Sequence, residues 1–337
     1  MLSMKQRVEY ADLTKGFCIL IIALTHTFGD SGGQTMELLS IFKIPVFFML
    51  SGFFFRKYES FYAFLKKKTN QLLIPVLFSF LFFSLIWTIF FSLKTEESIN
   101  VSNIFFLPNT LKINFGLSPS TWFLVCLFQI FIISYFLYKF FNNRFVLLIA
   151  AFAIGGFGYY LNVIDISLPI WMDTAITTLP FFVIGRMIWT EEGLLQKPSS
   201  AIHYFLLAIS FVIIILLFYT MDVNDNTFYA ANRYTSVSFV RLYIGGFFGS
   251  IFMILISKFI GRLPIVSYIG RYSIVVLITH QFYLFVIRNV LYQINIPQDS
   301  AWVSLCVFLI VVLISLPTIK YGVKYLPYCF AQKELLH

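Results

Sequence analysis

A lysine and a histidine lie eleven residues apart in the first long apolar run of this chain. Lys15 stands at the start of the run and His26 lies about three helical turns into it. Because eleven residues are close to three turns of 3.6, the spacing predicts both side chains on one helix face, about 16 Å apart along the axis. An ionisable side chain inside such a run is costly to bury and usually has a function. The pair offers a cation at one end and a proton acceptor at the other.

The composition indicates a protein that crosses a membrane many times. The chain has 337 residues, of which 59% are hydrophobic and only 12% are charged, whereas a soluble domain carries about 25% charged residues. Stretches of about 18 or more nearly uncharged residues recur, and each is long enough to span a bilayer as a helix. We therefore expect an all-α, polytopic membrane helix bundle that forms one membrane-embedded domain over residues 1–337.

Ten membrane spans are predicted from these stretches, and an even number places both termini on one side. Lysine and arginine favour the cytoplasm for that side, since eighteen fall inside and six fall outside or at outer helix ends. The predicted spans are 14–30, 38–55, 72–93, 121–140, 145–163, 173–190, 201–220, 239–259, 270–290 and 301–320. The six outer cations are Lys43, Lys94, Lys112, Arg233, Arg241 and Arg288.

The remaining charge and cysteine patterns exclude other kinds of site. The net charge of +9 comes from basic residues between apolar runs, without a patch of interleaved aromatics, so no nucleic-acid partner is expected. The four cysteines lack metal-ligand or redox spacing, and no metal site is expected. Residues 56–71 are basic and amphipathic and are predicted along the headgroups. The polar stretches 94–120 and 221–238 are predicted as outer loops that could line a binding site or serve as hydrated connectors.

The opening segment, RVEYADLTKGFCILIIALTH from Arg7 to His26, carries a pattern known from one family. It has a basic residue, ten others and then a histidine in the first span, here Lys15 to His26. Asp12 and Gly16 also fit, as aspartate, two residues and then Lys-Gly ahead of the apolar run. The segment resembles the acyltransferase-3 family of integral membrane acyltransferases. That family more often has arginine at the first position, and lysine keeps the charge but lacks the bidentate fork.

Later segments resemble the same family in the same order along the chain. They are IFKIPVFFMLSGFFFRKY (41–58), QLLIPVLFSF (71–80), STWFLVCLF (120–128), LPFFVIGRMI (179–188) and IGRYSIVVLITHQ (269–281). One departure occurs where the family often has two arginines separated by two residues. Here Lys68 keeps one basic residue and Gln71 stands at the other position, which leaves open whether Gln71 joins a charged site.

The resemblance implies an O-acyltransferase of the bacterial cytoplasmic (inner) membrane that modifies sugars of cell-surface glycans. The expected co-substrate is acetyl-CoA or another acyl-CoA, with no cofactor bound permanently. The expected partners are acyl-CoA, the lipid bilayer and a glycan or lipid-linked saccharide acceptor. The catalytic candidate is His26. The candidates for acyl-CoA binding are Lys15, Lys68 and Arg271, and the supporting candidates are Asp12, Ser51 and His280.

The chemistry of an acyl-CoA fits the Lys15–His26 spacing without the resemblance. Such a donor has phosphates at one end, a thioester at the other and a narrow pantetheine arm between them. Its site needs cations at the cytoplasmic mouth and a base one arm's length inside. His26 can take the proton of an attacking sugar hydroxyl and pass it to the leaving thiolate. An acyl-histidine intermediate that relays the acyl group outward is the alternative.

The candidates also have structural explanations. His26 could be an interhelical hydrogen-bonding group, and Lys15 could extend to the headgroups. Asp12, three residues from Lys15, could be its ion-pair partner. His280 could either bond to substrate or pack, and the Ser51-Gly52 pair could allow close helix packing.

The other cations, and the function itself, leave alternatives open. Arg262 and Arg271 could add to a CoA-phosphate mouth or set the topology. Lys43, Arg241 and Arg288 could contact an anionic glycan at outer helix ends or extend to the headgroups. A transporter or flippase of a glycan or lipid-linked intermediate is one alternative function, and a scaffold in a polysaccharide synthesis complex is another. Neither gives a reason for the eleven-residue spacing.

Overall fold

The computed structural model describes residues 8–56, 58, 60–95, 120–190, 200–220, 239, 241–298 and 300–336. Most of the two predicted outer loops, residues 96–119 and 221–238, lies outside them. The helices are α1 (Glu9–Phe28), α2 (Gly33–Phe53), α3 (Phe61–Lys68), α4 (Ile74–Thr95), α5 (Trp122–Phe140), α6 (Arg144–Val163), α7 (Met172–Thr190), α8 (Ala201–Thr220), α9 (Gly246–Ile260), α10 (Pro264–Arg271), α11 (Ser273–Gln293) and α12 (Ala301–Tyr325). Short 3₁₀ turns cover Gly29–Gly32 and Pro169–Trp171, and π turns cover Thr69–Leu73 and Arg241–Gly245.

Every predicted span overlaps one of these helices, and the described residues contain no strand, which confirms the all-α prediction. Eight described segments are long and apolar enough to cross a membrane: α1, α2, α5, α6, α8, α11, α12 and Arg241–Ile260, which includes α9. Helices α4 and α7 have 22 and 19 residues and therefore also have the length to cross. Ten crossings, both termini in the cytoplasm and a single domain stay predictions.

Helix α1 lies at the centre of the bundle, in contact with α2, α9, α10, α11 and α12. Residues around its circumference are buried, among them Ala11, Cys18 and Ile19. Helix α8 is the opposite case, since only His203 and Ser210 along it are buried, as expected at the lipid-facing edge of a bundle. The side chains of α1 are therefore positioned by several neighbouring helices.

Two helix crossings depend on glycines that leave no room for a side chain. Where α1 crosses α10, a Cβ on Gly16 would overlap the Val266 carbonyl oxygen, and a Cβ on Gly270 would overlap the Asp12 carbonyl oxygen. Where α2 crosses α7, a Cβ on Gly52 would overlap a main-chain carbonyl of α7. Such close approach is typical of small residues between membrane helices. These crossings fix α10 and α7 against the helices that carry the candidate residues.

The basic segment predicted along the headgroups forms α3 and continues through the π turn into α4. One face of α3 is buried, at Phe64 and Lys68. The C-terminal tail is attached just beyond it, at the buried Asn70. The Asn70 side chain donates to the Leu336 carbonyl oxygen at 3.0 Å and accepts from the Leu335 and Leu336 N–H groups at 2.9 and 2.8 Å. Three hydrogen bonds therefore hold the tail against the start of α4.

Candidate active site

Lys15 and His26 lie on one unbroken helix. Helix α1 runs from Glu9 to Phe28, so eleven steps of helix keep both residues on the same side, about 16 Å apart along the axis. The helix begins at Glu9 rather than at residue 14 and ends at Phe28, which places His26 in its last turn. His26 therefore lies near the predicted outer end of α1, and Lys15 lies near its predicted inner end.

His26 lies against a second imidazole, that of His280 on α11. The ring centroids are 5.5 Å apart and the rings are inclined by 37°. His26 is exposed, whereas His280 is only 1% exposed. The His280 Nδ1 lies 2.8 Å from the Val276 carbonyl oxygen, and because that oxygen can only accept, we assign the proton to Nδ1 and the lone pair to Nε2. Nε2 is buried and has no hydrogen-bond partner among the described residues.

Lys43 lies in the vicinity of the two histidines. Its predicted position at an outer helix end is wrong. Because α2 begins at Gly33 rather than at residue 38, Lys43 falls near the middle of the helix. Its side chain is buried, and its Nζ donates to Thr25 Oγ1 at 2.7 Å. Its charge is close enough to interact with both imidazoles. The sequence signal for this buried position was that the lysine lies within the apolar stretch IFKIPVFFML.

Two other predicted outer cations, Arg241 and Arg288, bind helix ends. Arg288 on α11 donates to the carbonyl oxygen of Thr27, and Arg241 donates to the carbonyl oxygen of Thr220 at the end of α8. The last carbonyl groups of a helix lack intrahelical donors and carry partial negative charge, so a guanidinium group there stabilises the helix end. Arg288 thus fixes the end of α1 one residue beyond His26. A contact of these arginines with a glycan stays a prediction.

Two carboxylates and two guanidinium groups lie together at the predicted inner end of α1. Arg271 lies 3.9 Å from Glu9 and 3.9 Å from Asp12, and Arg262 lies 3.7 Å from Glu9. The structure gives Asp12 an ion pair with Arg271 of another helix, and the pairing of Asp12 with Lys15 stays a prediction. Since carboxylates already face Arg271, a CoA phosphate would compete with them. The role of Arg271 in acyl-CoA binding stays a prediction.

Two cations lie beside aromatic side chains where α2 ends. The Nζ of Lys15 is 5.2 Å from the centroid of the Phe54 ring. Arg186 on α7 lies 5.8 Å from the centroid of the Phe55 ring and donates to the Phe55 carbonyl oxygen. Sequence reasoning did not select Arg186, although it is an isolated arginine within the apolar segment LPFFVIGRMI. Two successive phenylalanines at the end of α2 therefore each lie beside a cation.

Lys68 lies beside a phenylalanine ring that neighbours the ring of Phe55. Its Nζ is 3.6 Å from the centroid of Phe131, and the Phe131 ring is 6.1 Å from that of Phe55. Burial, with a smaller effect of the neighbouring Lys67, lowers the pKa of Lys68 to about 7. The Lys68 Nζ also donates to Gln71 Oε1 at 3.2 Å. Gln71 thus joins the site as a neutral acceptor, not as a second cation.

The Ser51-Gly52 pair serves helix packing, as its structural explanation predicted. The Ser51 hydroxyl donates to the Phe47 carbonyl oxygen at 2.7 Å within its own helix. Gly52 forms the close crossing of α2 with α7. A further supporting role of Ser51 in the reaction stays a prediction.

Comparison with known proteins agrees with the sequence motifs. A family model described as an acyltransferase domain matches residues 8–320, a range from the start of α1 to near the end of α12. Comparisons with curated proteins and with solved structures found no match. Because the family match covers nearly the whole chain, this protein belongs to the acyltransferase-3 family of membrane acyltransferases.

Proposed function

We propose that this protein is an O-acyltransferase of the bacterial cytoplasmic membrane. It moves an acetyl or other short acyl group from cytoplasmic acyl-CoA to a sugar hydroxyl of a cell-surface polysaccharide or its lipid-linked precursor. The observation that carries the proposal is the position of His26. This imidazole is exposed, lies beside His280 and near Lys43, and shares one helix face with Lys15.

The inner cations would hold the donor. At the predicted inner side, Lys15 lies beside Phe54, while Arg186 and Lys68 lie beside the neighbouring rings of Phe55 and Phe131. Ammonium and guanidinium groups are the usual ligands of phosphates. The Phe54 ring is 43% exposed and offers a face on which an adenine ring can stack. The pantetheine arm would then follow α1 toward His26, over about 16 Å.

The reaction would need no nucleophile from the enzyme. The oxygen of the sugar hydroxyl attacks the thioester carbonyl carbon, and His26 takes the hydroxyl proton as general base. When the tetrahedral intermediate collapses, the C–S bond breaks and the CoA thiolate takes that proton from the imidazolium. The products are the sugar ester and free CoA thiol, and His26 returns to its neutral form. Relay through an acyl-histidine would use the same residue.

Radiolabelled acetyl-CoA tests this proposal in membranes that carry the host glycan. We expect the wild-type protein to place ester-linked label on the glycan. His26→Ala should lower this incorporation by at least about 100-fold at equal protein levels, because positioned acid–base catalysis contributes that much. His337→Ala, a change in the C-terminal tail, is the matched histidine control and should act like the wild type. Full incorporation by His26→Ala would exclude the role of His26, and glycan transport without esterified label would favour the transporter alternative.

A further inference from the structure

Lys43 is a buried cation whose observed partner is neutral. Its side chain is 9% exposed, and its Nζ donates to Thr25 Oγ1 at 2.7 Å. No carboxylate of the described residues lies within ion-pair distance of it. A buried ammonium group without a counter-charge is costly. Inside a membrane bundle such a charge generally marks the place where negative charge is bound or formed.

Thr25 fixes the direction in which the Lys43 ammonium group points. The Thr25 hydroxyl donates to the Ile22 carbonyl oxygen at 3.0 Å, so its oxygen lone pairs remain to accept one of the three ammonium N–H groups. The other two have no partner among the described residues. Thr25 directly precedes His26 on α1, and the Lys43 charge interacts with both imidazoles, so the ammonium group lies in the vicinity of His26 and His280.

We propose that Lys43 stabilises the oxyanion formed on the thioester carbonyl during acyl transfer. The inference rests on the proposed function and assigns a second catalytic residue to the same site. As the sugar oxygen bonds to the carbonyl carbon, the C=O π electrons move onto the carbonyl oxygen, which accepts the two remaining N–H groups of Lys43. As the C–S bond breaks, the C=O bond re-forms and the charge leaves with the thiolate. Lys43 keeps all its protons, and His26 alone transfers one.

A transient oxyanion and a permanent anion have different kinetic consequences. If Lys43 acts only on charge that forms during the reaction, its removal lowers kcat and leaves ground-state binding unchanged. If Lys43 instead binds a carboxylate already present on the acyl group or on an acidic sugar, its removal weakens binding and raises KM. The two cases are therefore separable on the same enzyme.

The test compares Lys43→Met with Lys139→Met, an exposed lysine on α5 that serves as the matched control. CoA thiol release from acetyl-CoA is measured in membranes that supply the native acceptor. We expect kcat of Lys43→Met to fall by about 100- to 1,000-fold, the usual loss for one oxyanion donor. KM for acetyl-CoA, and Kd for its non-hydrolysable thioether analogue, should stay within about threefold of the wild type. Lys139→Met should leave kcat and KM unchanged.

Three results would overturn the oxyanion role. The first is an unchanged kcat in Lys43→Met. The second is a raised KM with kcat retained, which would indicate a permanent anion. The third is a parallel loss of analogue binding and thermal stability, which would indicate a structural lysine. If wild-type protein releases no CoA from acetyl-CoA or succinyl-CoA, the proposed function itself fails. If both the wild type and Lys43→Met are active, only the oxyanion role of Lys43 fails, and the proposed function stands.

If Lys43→Met does not fold, Thr25→Val provides a second test of the oxyanion role of Lys43. Valine has nearly the same shape as threonine but lacks the hydroxyl that holds the Lys43 ammonium group. Thr25 is thus a positioning residue, and we expect kcat to fall by about tenfold with KM unchanged, because one hydrogen bond to a charged group is lost. Wild-type kcat in Thr25→Val at normal stability would contradict the assignment.

Discussion

Lys68 ends helix α3 with its ammonium group between a phenyl ring and a side-chain amide. Burial lowers its pKa to about 7, so this group changes its protonation near neutral pH. A bound phosphate favours the protonated form of a neighbouring lysine. If Lys68 contacts a phosphate of acyl-CoA, the affinity must therefore fall as the pH rises through about 7, because the free protein then loses the proton that the complex requires.

Binding of the thioether analogue of acetyl-CoA between pH 7 and pH 9 tests this at Lys68. We expect Kd to rise with pH by at most about tenfold per pH unit, the limit for one proton. Lys68→Arg is the matched variant, since a guanidinium group stays charged over this range and should remove most of the pH dependence. An equally steep pH dependence in Lys68→Arg would show that another group titrates.

Sequence spacing could identify site residues only within one helix. Lys15 and His26 share α1, so the period of 3.6 residues was sufficient to place them together. The neighbour of His26, His280, comes from α11, and no local spacing encodes which distant helices pack together. The same limit applies to Asp12, because no local spacing indicates its ion pair with Arg271 of α10.

The crossing of α1 and α10 sets the positions of the charged residues at the predicted inner end of α1. Gly16 and Gly270 bring the two backbones into direct contact, and this approach carries Arg271 to Asp12 and Glu9. A wider separation of the helices would break both ion pairs and move Lys15 with α1. The geometry of the cations therefore depends on residues that carry no charge.

Gly270→Ala tests this crossing, with Gly156→Ala on α6 as the matched control. The new methyl group at Gly270 would overlap the Asp12 carbonyl oxygen, whereas nothing lies within 4 Å of the corresponding position at Gly156. We expect Gly270→Ala to lose about 3 kcal/mol or more, the upper range for an overpacked site. Gly156→Ala should be neutral or slightly stabilising, since alanine is the better helix former. Thermal unfolding in detergent measures both, and equal stability of the two variants would contradict the close crossing.

The apolar runs predicted where the helices lie. Errors in the predicted helix ends, however, gave wrong positions for some residues. The predicted span 38–55 starts five residues later than α2, which starts at Gly33. That shift moved Lys43 to an apparent outer end and concealed its place in the site. The predicted span 270–290 has its main counterpart in α11, and α10 ends with a break at Tyr272. Boundaries are weak signals because glycine and polar residues occur within membrane helices when neighbouring helices cover them.

The proposed function requires the two ends of α1 to face opposite sides of the membrane. The cations around Phe54 and Phe55 must face the cytoplasm, where acyl-CoA is present, and His26 must be reached by the acceptor. The Lys/Arg distribution predicts this orientation. The fold class and the order of the helices followed from composition and apolar runs, whereas the orientation requires a measurement on cells.

Cysteine labelling of intact cells tests the orientation. Tyr62→Cys lies on α3, where the native side chain is 72% exposed, and Ile166→Cys lies between α6 and α7, where it is 47% exposed. In a Cys306→Ser, Cys329→Ser background, a membrane-impermeant maleimide should label Ile166→Cys directly. It should label Tyr62→Cys only after the membrane is opened. The reverse pattern would place Lys15 outside and remove its access to acyl-CoA.

In the proposed reaction, His26 transfers the proton during acyl transfer and does not merely hold the bundle together. Proton transfer by His26 is tested by measuring CoA release and thioether-analogue binding together, on purified wild-type protein and His26→Ala supplied with the native acceptor. We expect a rate at least about 100-fold lower in His26→Ala, with Kd for the analogue within about threefold of the wild type. A wild-type rate in His26→Ala, or loss of analogue binding together with the rate, would contradict it.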